Sequence, residues 1–422
     1  MVHKKVQDMV YTFALVARLR DELITMPWKE TTMINERTEF ALSSLQAGVN
    51  FTQLCARYGI SRRTGYKWKQ RYLADGASAM TDKSRRPTNS PNQLTELEVC
   101  RITRLHERHK HWGPKKIHKL YSDRYTPVPS QSTFKRIFDK CGWVKKRTRR
   151  KSSETGRLAS GLKAEDCNDV WTVDFKGWWR TGNGQRCEPL TVRDEHSRFL
   201  LTVQSMQTTK TEAVREVFER LFKAYGLPKA IRSDNGSPFA SSNAVLGLSR
   251  LSVWWVALGI DLERGRPGKP QDNGPHERMH LDIRNELECH AQEDLKTQQS
   301  AFDIWTHTFN QERPHEALGM QCPAQIYKPS IRTYSGTPEN IVYPGKIARV
   351  VNNRGYISLH GSKIPISTAL TGWSVGLLPI DNDTYDVFFA RLRLGYIEKS
   401  TAAFIGVTSD PYEGSALQRT IN

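Results

Sequence analysis

The chain has 422 residues, 38% of them hydrophobic, and carries a formal net charge of +19. That length exceeds one ordinary hydrophobic core and predicts three or four domains, while the positive field calls for a polyanionic partner, with nucleic acid first among them. Seven scattered cysteines without a CxxC pair exclude a disulfide framework and read as reduced thiols of an intracellular chain.

The first apolar run, "VYTFALVARLRDELI", is broken by Arg18, Arg20 and Asp21, too short and too charged for a membrane span or secretion signal. No membrane partner is expected, and residues 1–25 read as a possible N-terminal extension. Over 26–86 the pattern becomes helical, with a break at Tyr58-Gly59-Ile60 and Ser61 placed as an N-cap. This is a helix-turn-helix signature. Its second helix would present Arg62, Arg63, Tyr66, Lys67 and Lys69 to phosphates and base edges in a major groove. A second helical unit follows over 87–145, with Ser130 before a helix bearing Lys135 and Arg136, and a small core from Trp112, Ile117, Leu120, Phe134, Ile137 and Phe138. His106, His109 and His111 lie near Cys100, but a zinc site would need a second Cys pair. Seventeen Lys or Arg against three acids between Arg101 and Lys151 concentrate the charge here. The basic run with Lys145, Lys146 and Arg147 opens a linker, 146–164, where domain swivel is expected.

From Asn168 the period switches to two. The predicted order over 165–328 is three strands, a helix ended by Gly226, a strand, a helix, a short strand and a helix, a mixed α/β domain of the ribonuclease H type. Asp174 stands inside the strand "WTVDFKGWW", where both strand propensity and burial disfavour it. Asp234 stands at the tip of "KAIRSD", and Glu277 in the first turns of the later helix. Hard divalent cations accept such carboxylates and leave coordination sites to phosphate oxygens. A pair of them can hold both oxygens of an in-line phosphoryl displacement. Asp194 in "VRDEHSR" reads as a hairpin-turn residue rather than a ligand.

"WTVDFKG", "IRSDNGSPF" and "GKPQDNGPHERMH" resemble the three acidic motifs of the DDE transposases and retroviral integrases. With "FNQERPHEALGMQCPAQIY", "MPWKETTMINERTEFAL", tandem helix-turn-helix units and a β-rich end, the chain is similar to the insertion-sequence 481 family of transposases. The resemblance implies metal ligation and catalysis by Asp174, Asp234 and Glu277, two Mg²⁺ or Mn²⁺ ions per site, and a DNA-holding role for Arg284. Forty-two residues separate the last two acids, more than the retroviral pattern, and Asp272 and Glu286 are rival third acids. Asn310, Arg313, Pro314 and His315 either buttress the site or cap a helix. Strong alternation after Tyr343 predicts a small β-barrel over 340–400, before a tail at 401–422.

The expected function is a DNA transposase of the bacterial cytoplasm, associated with the nucleoid, that binds terminal inverted repeats, frees a 3′ end and joins it to target DNA. Its working form would be at least a homodimer, with candidate contacts around Trp254 and Trp255 and in the C-terminal barrel, each of which could equally be core. The alternatives are a DNA-binding regulator with a vestigial catalytic domain and a nuclease without strand transfer.

Overall fold

The computed structural model describes residues 32–83, 93–144, 163–241, 244–265 and 274–407. The chain divides into two compact units at Gln93/Leu94. Among its described residues the first holds three α-helices, α1 (Met33–Ser43), α2 (Phe51–Arg57) and α3 (Arg62–Asp75). Ser61 caps α3 as its sequence position predicts, accepting from the Thr64 amide at 3.2 Å. Phe40, Ala41, Cys55, Trp68 and Met80 form the core. Gly65 is required there by close packing, because a Cβ would lie 2.6 Å from Cys55 Sγ.

The second unit opens with α4 (Glu96–Arg108), started by a Thr95–Glu98 capping box, α5 (Pro114–Ser122) and α6 (Gln131–Lys140). Trp112, Ile117, Leu120, Phe134 and Phe138 are buried as predicted, and Ile137 packs at the margin. Ser130 stands at the N-cap position of α6 but its hydroxyl meets those of Ser132 and Thr133 instead of a backbone amide. The histidines serve packing: His106 stacks on Trp143 and His109 on Trp112, each with centroids 4.0 Å apart.

The central sheet runs β5–β4–β1–β6–β7, built from β1 (Val170–Phe175), β4 (Leu190–Asp194), β5 (Leu200–Gln204), β6 (Ala230–Ser233) and β7 (Asp261–Arg264). The first three strands are antiparallel, and β6 and β7 extend the sheet in parallel. A short hairpin, β2 (Trp179–Arg180) with β3 (Arg186–Cys187), interrupts the predicted order between β1 and β4. Helices α7 (Thr211–Tyr225) and α8 (Arg250–Ala257) cover one face around Trp171, Val173, Phe218 and Phe222. Helices α9 (Gly274–Glu286) and α10 (Leu295–Gln311) cover the other around Val203, Met279, Ile283 and Phe302. Both faces are therefore dry, as a partly parallel sheet requires.

After the short helix α11 (Pro323–Ile326) comes a hairpin of β9 (Tyr356–Leu359) and β10 (Ser362–Pro365). Beside it lies an antiparallel sheet ordered β14–β13–β12–β11–β8. Its strands are β8 (Ile347–Val350), β11 (Ser374–Pro379), β12 (Thr384–Phe389), β13 (Leu392–Glu398) and β14 (Ala403–Gly406). It shares a core with Val253 and Val256 of α8. Trp254 and Trp255, each 1% exposed, point into the core beneath the central sheet. Of the two readings the sequence left open for them, core and contact surface, they are core.

Candidate active site

Asp174 occupies the central strand of the sheet, on the face opposite the Trp171–Val173 core. β1 and β6 are parallel with Thr172 paired to Arg232, and Asp234 follows directly on the end of β6 at Ser233, which brings it to the same end of the sheet as Asp174. Neighbouring strands lie about 4.8 Å apart, which puts the two carboxylates side by side. Glu277 comes from the first turn of α9 and is exposed. The Asp174 carboxyl is pushed up to about 7, first by burial, then by the charge of Asp234 and more weakly by that of Glu277, against a lowering hydrogen bond from the Phe175 amide. Asp174 thus feels both other acids.

Gly236 makes the Asp234 turn possible. Its amide donates to Asp234 Oδ1 at 3.1 Å, and a Cβ there would approach Oδ2 to 3.0 Å. The close approach is to the carboxylate itself, which explains a glycine two residues after the acid.

Behind Asp174 lies a cluster that the sequence reading missed. His276 and His280, at i and i+4 around Glu277, bring ring nitrogens within 4.8 Å of an Asp174 oxygen. The Thr191 hydroxyl donates to the Asp174 carbonyl (2.9 Å) and faces Nε2 of His276 (2.6 Å) and of His280 (2.9 Å). One hydroxyl has one proton and two lone pairs, so both rings must donate from Nε2. Thr172 meets His276 Nδ1 at 3.1 Å and occupies it. His280 Nδ1 keeps its lone pair, 3.9 Å from Asp174 Oδ2. Burial holds His276 well below the usual imidazole range and His280 down to about 4, the nearby Lys176 and Arg193 adding to the latter. Both are neutral near pH 7. Oxygens from Asp174, Asp234 and Glu277 suit a hard divalent cation, and His280 Nδ1 is a further open donor beside them. The signal was present as the spacing His-x-x-x-His in "PHERMH".

Seen down α9, Glu277 and Arg284 are two turns apart on one face, with Arg284 exposed. Asp282 and Glu286 occupy the opposite face. There Arg313, 3% exposed, donates to Asp282 at 2.6 Å and stands 3.7 Å from Glu286, while Trp305 Nε1 donates to Glu286 at 2.7 Å. Glu286 is therefore turned away from Asp174; Asp272 lies outside the described residues. Arg313 buttresses α9 from behind, and Asn310 clamps β5 through both its amide and carbonyl contacts to Leu200, each 2.9 Å. His315 is partly buried, and the desolvation of its ring, with Lys116 and Arg313 nearby, drives it down to about 2.

The helical domain of α4–α6 reaches the same network. Trp112 lies under Arg313 at 5.8 Å, Lys115 pairs with Glu316 at 2.7 Å, and burial, reinforced by the charge of Arg313 and opposed by Asp282 and Glu286, lowers Lys116 to about 8. The linker at 146–164, where swivel is expected, lies almost wholly outside the described residues. Asp194, fully buried, accepts from the amides of Asn168 (2.7 Å) and Ser197 (2.8 Å) and serves as the turn residue predicted.

The residues expected to meet DNA fall in three groups. Arg62, Arg63, Tyr66 and Lys67 are exposed on α3, with Tyr66 stacked on Phe51 at 4.3 Å; Lys69 instead donates to the Ser44 carbonyl at 2.9 Å and ties α3 to the end of α1. Lys135 and Arg136 are exposed on α6. Lys145, Lys146 and Arg147 lie outside the described residues.

Comparison with known families matches an integrase core domain over residues 164–270 and again over 258–323. A helix-turn-helix domain matches 36–88 and a homeodomain-like domain 64–138. The chain is 26% identical over 238 residues to a 31.7 kDa protein of insertion element IS407 from Burkholderia multivorans, covering 56% of this chain and 82% of that one. It is 25% identical over 237 residues to a 39.2 kDa protein of insertion element IS476 from Xanthomonas euvesicatoria, covering 56% and 66%. The HTLV-2 integrase catalytic core domain in complex with magnesium aligns over 39% of this chain and all of its own, at 17% identity and TM-score 0.31.

Proposed function

We propose, for a chain that belongs to the DDE transposase and integrase superfamily and resembles its insertion-sequence members, that it cuts the ends of a mobile element and joins them to new DNA. The observation that carries this reading is Asp174, a half-buried carboxyl raised to about 7 by burial and by the adjoining charges of Asp234 and Glu277. Such a cluster is costly alone and is offset by cations. Asp174, Asp234 and Glu277 would hold Mg²⁺ or Mn²⁺, two ions per site. Those ions would supply the charge that activates the attacking oxygen and stabilises the leaving one.

The chain's own residues do the rest. Gly236 fixes the Asp234 carboxylate, the Thr191–His276–His280 cluster fixes Asp174, and Arg313 fixes the helix of Glu277. Water, then the freed 3′-OH, is the nucleophile. Arg284 holds DNA beside the acids. The helix α3 reads the terminal inverted repeat through Arg62, Arg63 and Lys67, and α6, with the basic run after it, follows phosphates. We read the C-terminal sheet as a small barrel, supported by β9 lying against β8 and β10 against β14. The working form is at least a dimer, since two element ends need two sites, and it acts in the bacterial cytoplasm at the nucleoid.

The test is incubation of the full-length protein with Mg²⁺, a labelled duplex carrying an element end and a supercoiled target. Cleaved 3′ ends joined to target are expected. Cleavage without joining indicates a nuclease; repeat binding without cleavage indicates a regulator.

A further inference from the structure

We propose that Trp178, Arg180 and Arg186 form a stacking platform for an unpaired nucleobase of DNA. The β2–β3 hairpin has two faces. Its inner face buries Trp179 and Cys187 in the core beneath α9 and α10. Its outer face carries Arg180 directly opposite Arg186, and alternation puts Trp178 on that same outer face. Trp178 is 52% exposed, with the guanidinium carbons of Arg186 and Arg180 at 4.9 and 5.8 Å from its ring.

Two like charges facing each other across a strand pair are destabilising. Glu188 engages Arg186 at 2.7 Å, whereas among the described residues Arg180 donates to the neutral Gly184 carbonyl at 2.7 Å and meets no carboxylate. The outer face therefore keeps an uncompensated guanidinium beside an exposed indole. Phosphate answers the first and a base π-face the second, the combination by which proteins hold single-stranded DNA. Trp178 is four residues from Asp174, which limits their separation to about 14 Å. A base unpaired next to the cut would be within reach. The proposal rests on the chain being a DNA-processing protein, not on its chemistry.

Fluorescence anisotropy on the full-length protein, with EDTA present, tests it using a labelled oligothymidylate and an abasic oligomer of the same length. Trp178→Ala is expected to weaken oligothymidylate binding about tenfold while leaving the abasic oligomer unchanged, and Trp178→Phe to restore most of the loss. Arg180→Gln should weaken both oligomers and reduce the salt slope by about 0.7, the value for one phosphate left without its cation. Wild-type affinity of Trp178→Ala for oligothymidylate, or equal loss on the abasic oligomer, would overturn the platform. Because EDTA removes the metal, failure of cleavage would leave this result standing, and failure here would leave cleavage standing.

Discussion

The two helical regions look alike in sequence, each a basic three-helix unit with an aromatic core, yet they are built for different attachments. In the first, the cations surround an aromatic residue of their own unit: Arg37, Arg71 and Lys67 lie 4.1, 4.9 and 5.1 Å from the Trp68 ring. In the second, Trp112, Lys115 and Lys116 are turned to the integrase core, meeting Arg313, Glu316 and the acids behind Glu277. A short polar edge thus makes one unit a compact body of its own and makes the other part of the catalytic scaffold. DNA held by the second unit would be held in fixed relation to the acids.

The difference between the units should break most visibly at Arg313. Arg313→Ala removes the close hydrogen-bonded cation of buried Asp282, leaving it Arg278 at 3.9 Å, and should cost about 3 kcal/mol in unfolding of the second unit. Arg71→Ala, which removes a cation lying on Trp68, should cost only about 0.5–1 kcal/mol in the first. Denaturant unfolding of the full chain, with each unit followed separately, checks both values.

Acid should also distinguish the units. Burial holds His109 down to about 4, with Glu312 opposing and the neighbouring arginines reinforcing the shift. A folded value below the ordinary 6.5 means that the unfolded chain binds the proton more tightly. Stability from His109 is complete above about 6.5 and is lost as pH falls toward 4, by up to about 2 kcal/mol at pH 5. His109→Phe should flatten that slope. Residues 32–83 contain no histidine, so the helices of the first unit should show no such loss between pH 7 and 5.

On DNA the expected effects are smaller and differ in kind. Arg62→Ala should cost about 1–3 kcal/mol on the element end and little on random duplex. Lys135→Ala should weaken both equally and reduce the salt slope by about 0.9. Equal loss on both duplexes for Arg62→Ala would remove the division between reading and holding.

What the sequence made legible was whatever leaves a local period. Alternation marked the strands around Asp174 and Asp234, because a carboxylate inside an apolar strand stands out against its neighbours. Ser61 announced α3 by its capping chemistry. The contacts of Trp112 and Lys116 were illegible because their partners lie about 200 residues away and no local pattern records them. For Trp254 and Trp255 core and contact surface both stayed open, because a uniformly apolar helix does not say what covers it; α8 is sandwiched between two cores. The Thr191–His276–His280 cluster needed the sheet register, which sets Thr191 opposite Asp174.

The central claim is that Asp174, Asp234 and Glu277 together hold the metal that cleaves DNA. The direct measurement is Mg²⁺-dependent cleavage of an element-end duplex by Asp174→Asn, Asp234→Asn and Glu277→Gln, with end binding followed in parallel. Each variant should lose at least about 100-fold in cleavage rate and keep wild-type end affinity. Near wild-type cleavage by Glu277→Gln would contradict the account and move the third ligand to Asp272, since Glu286 is engaged by Arg313 and Trp305.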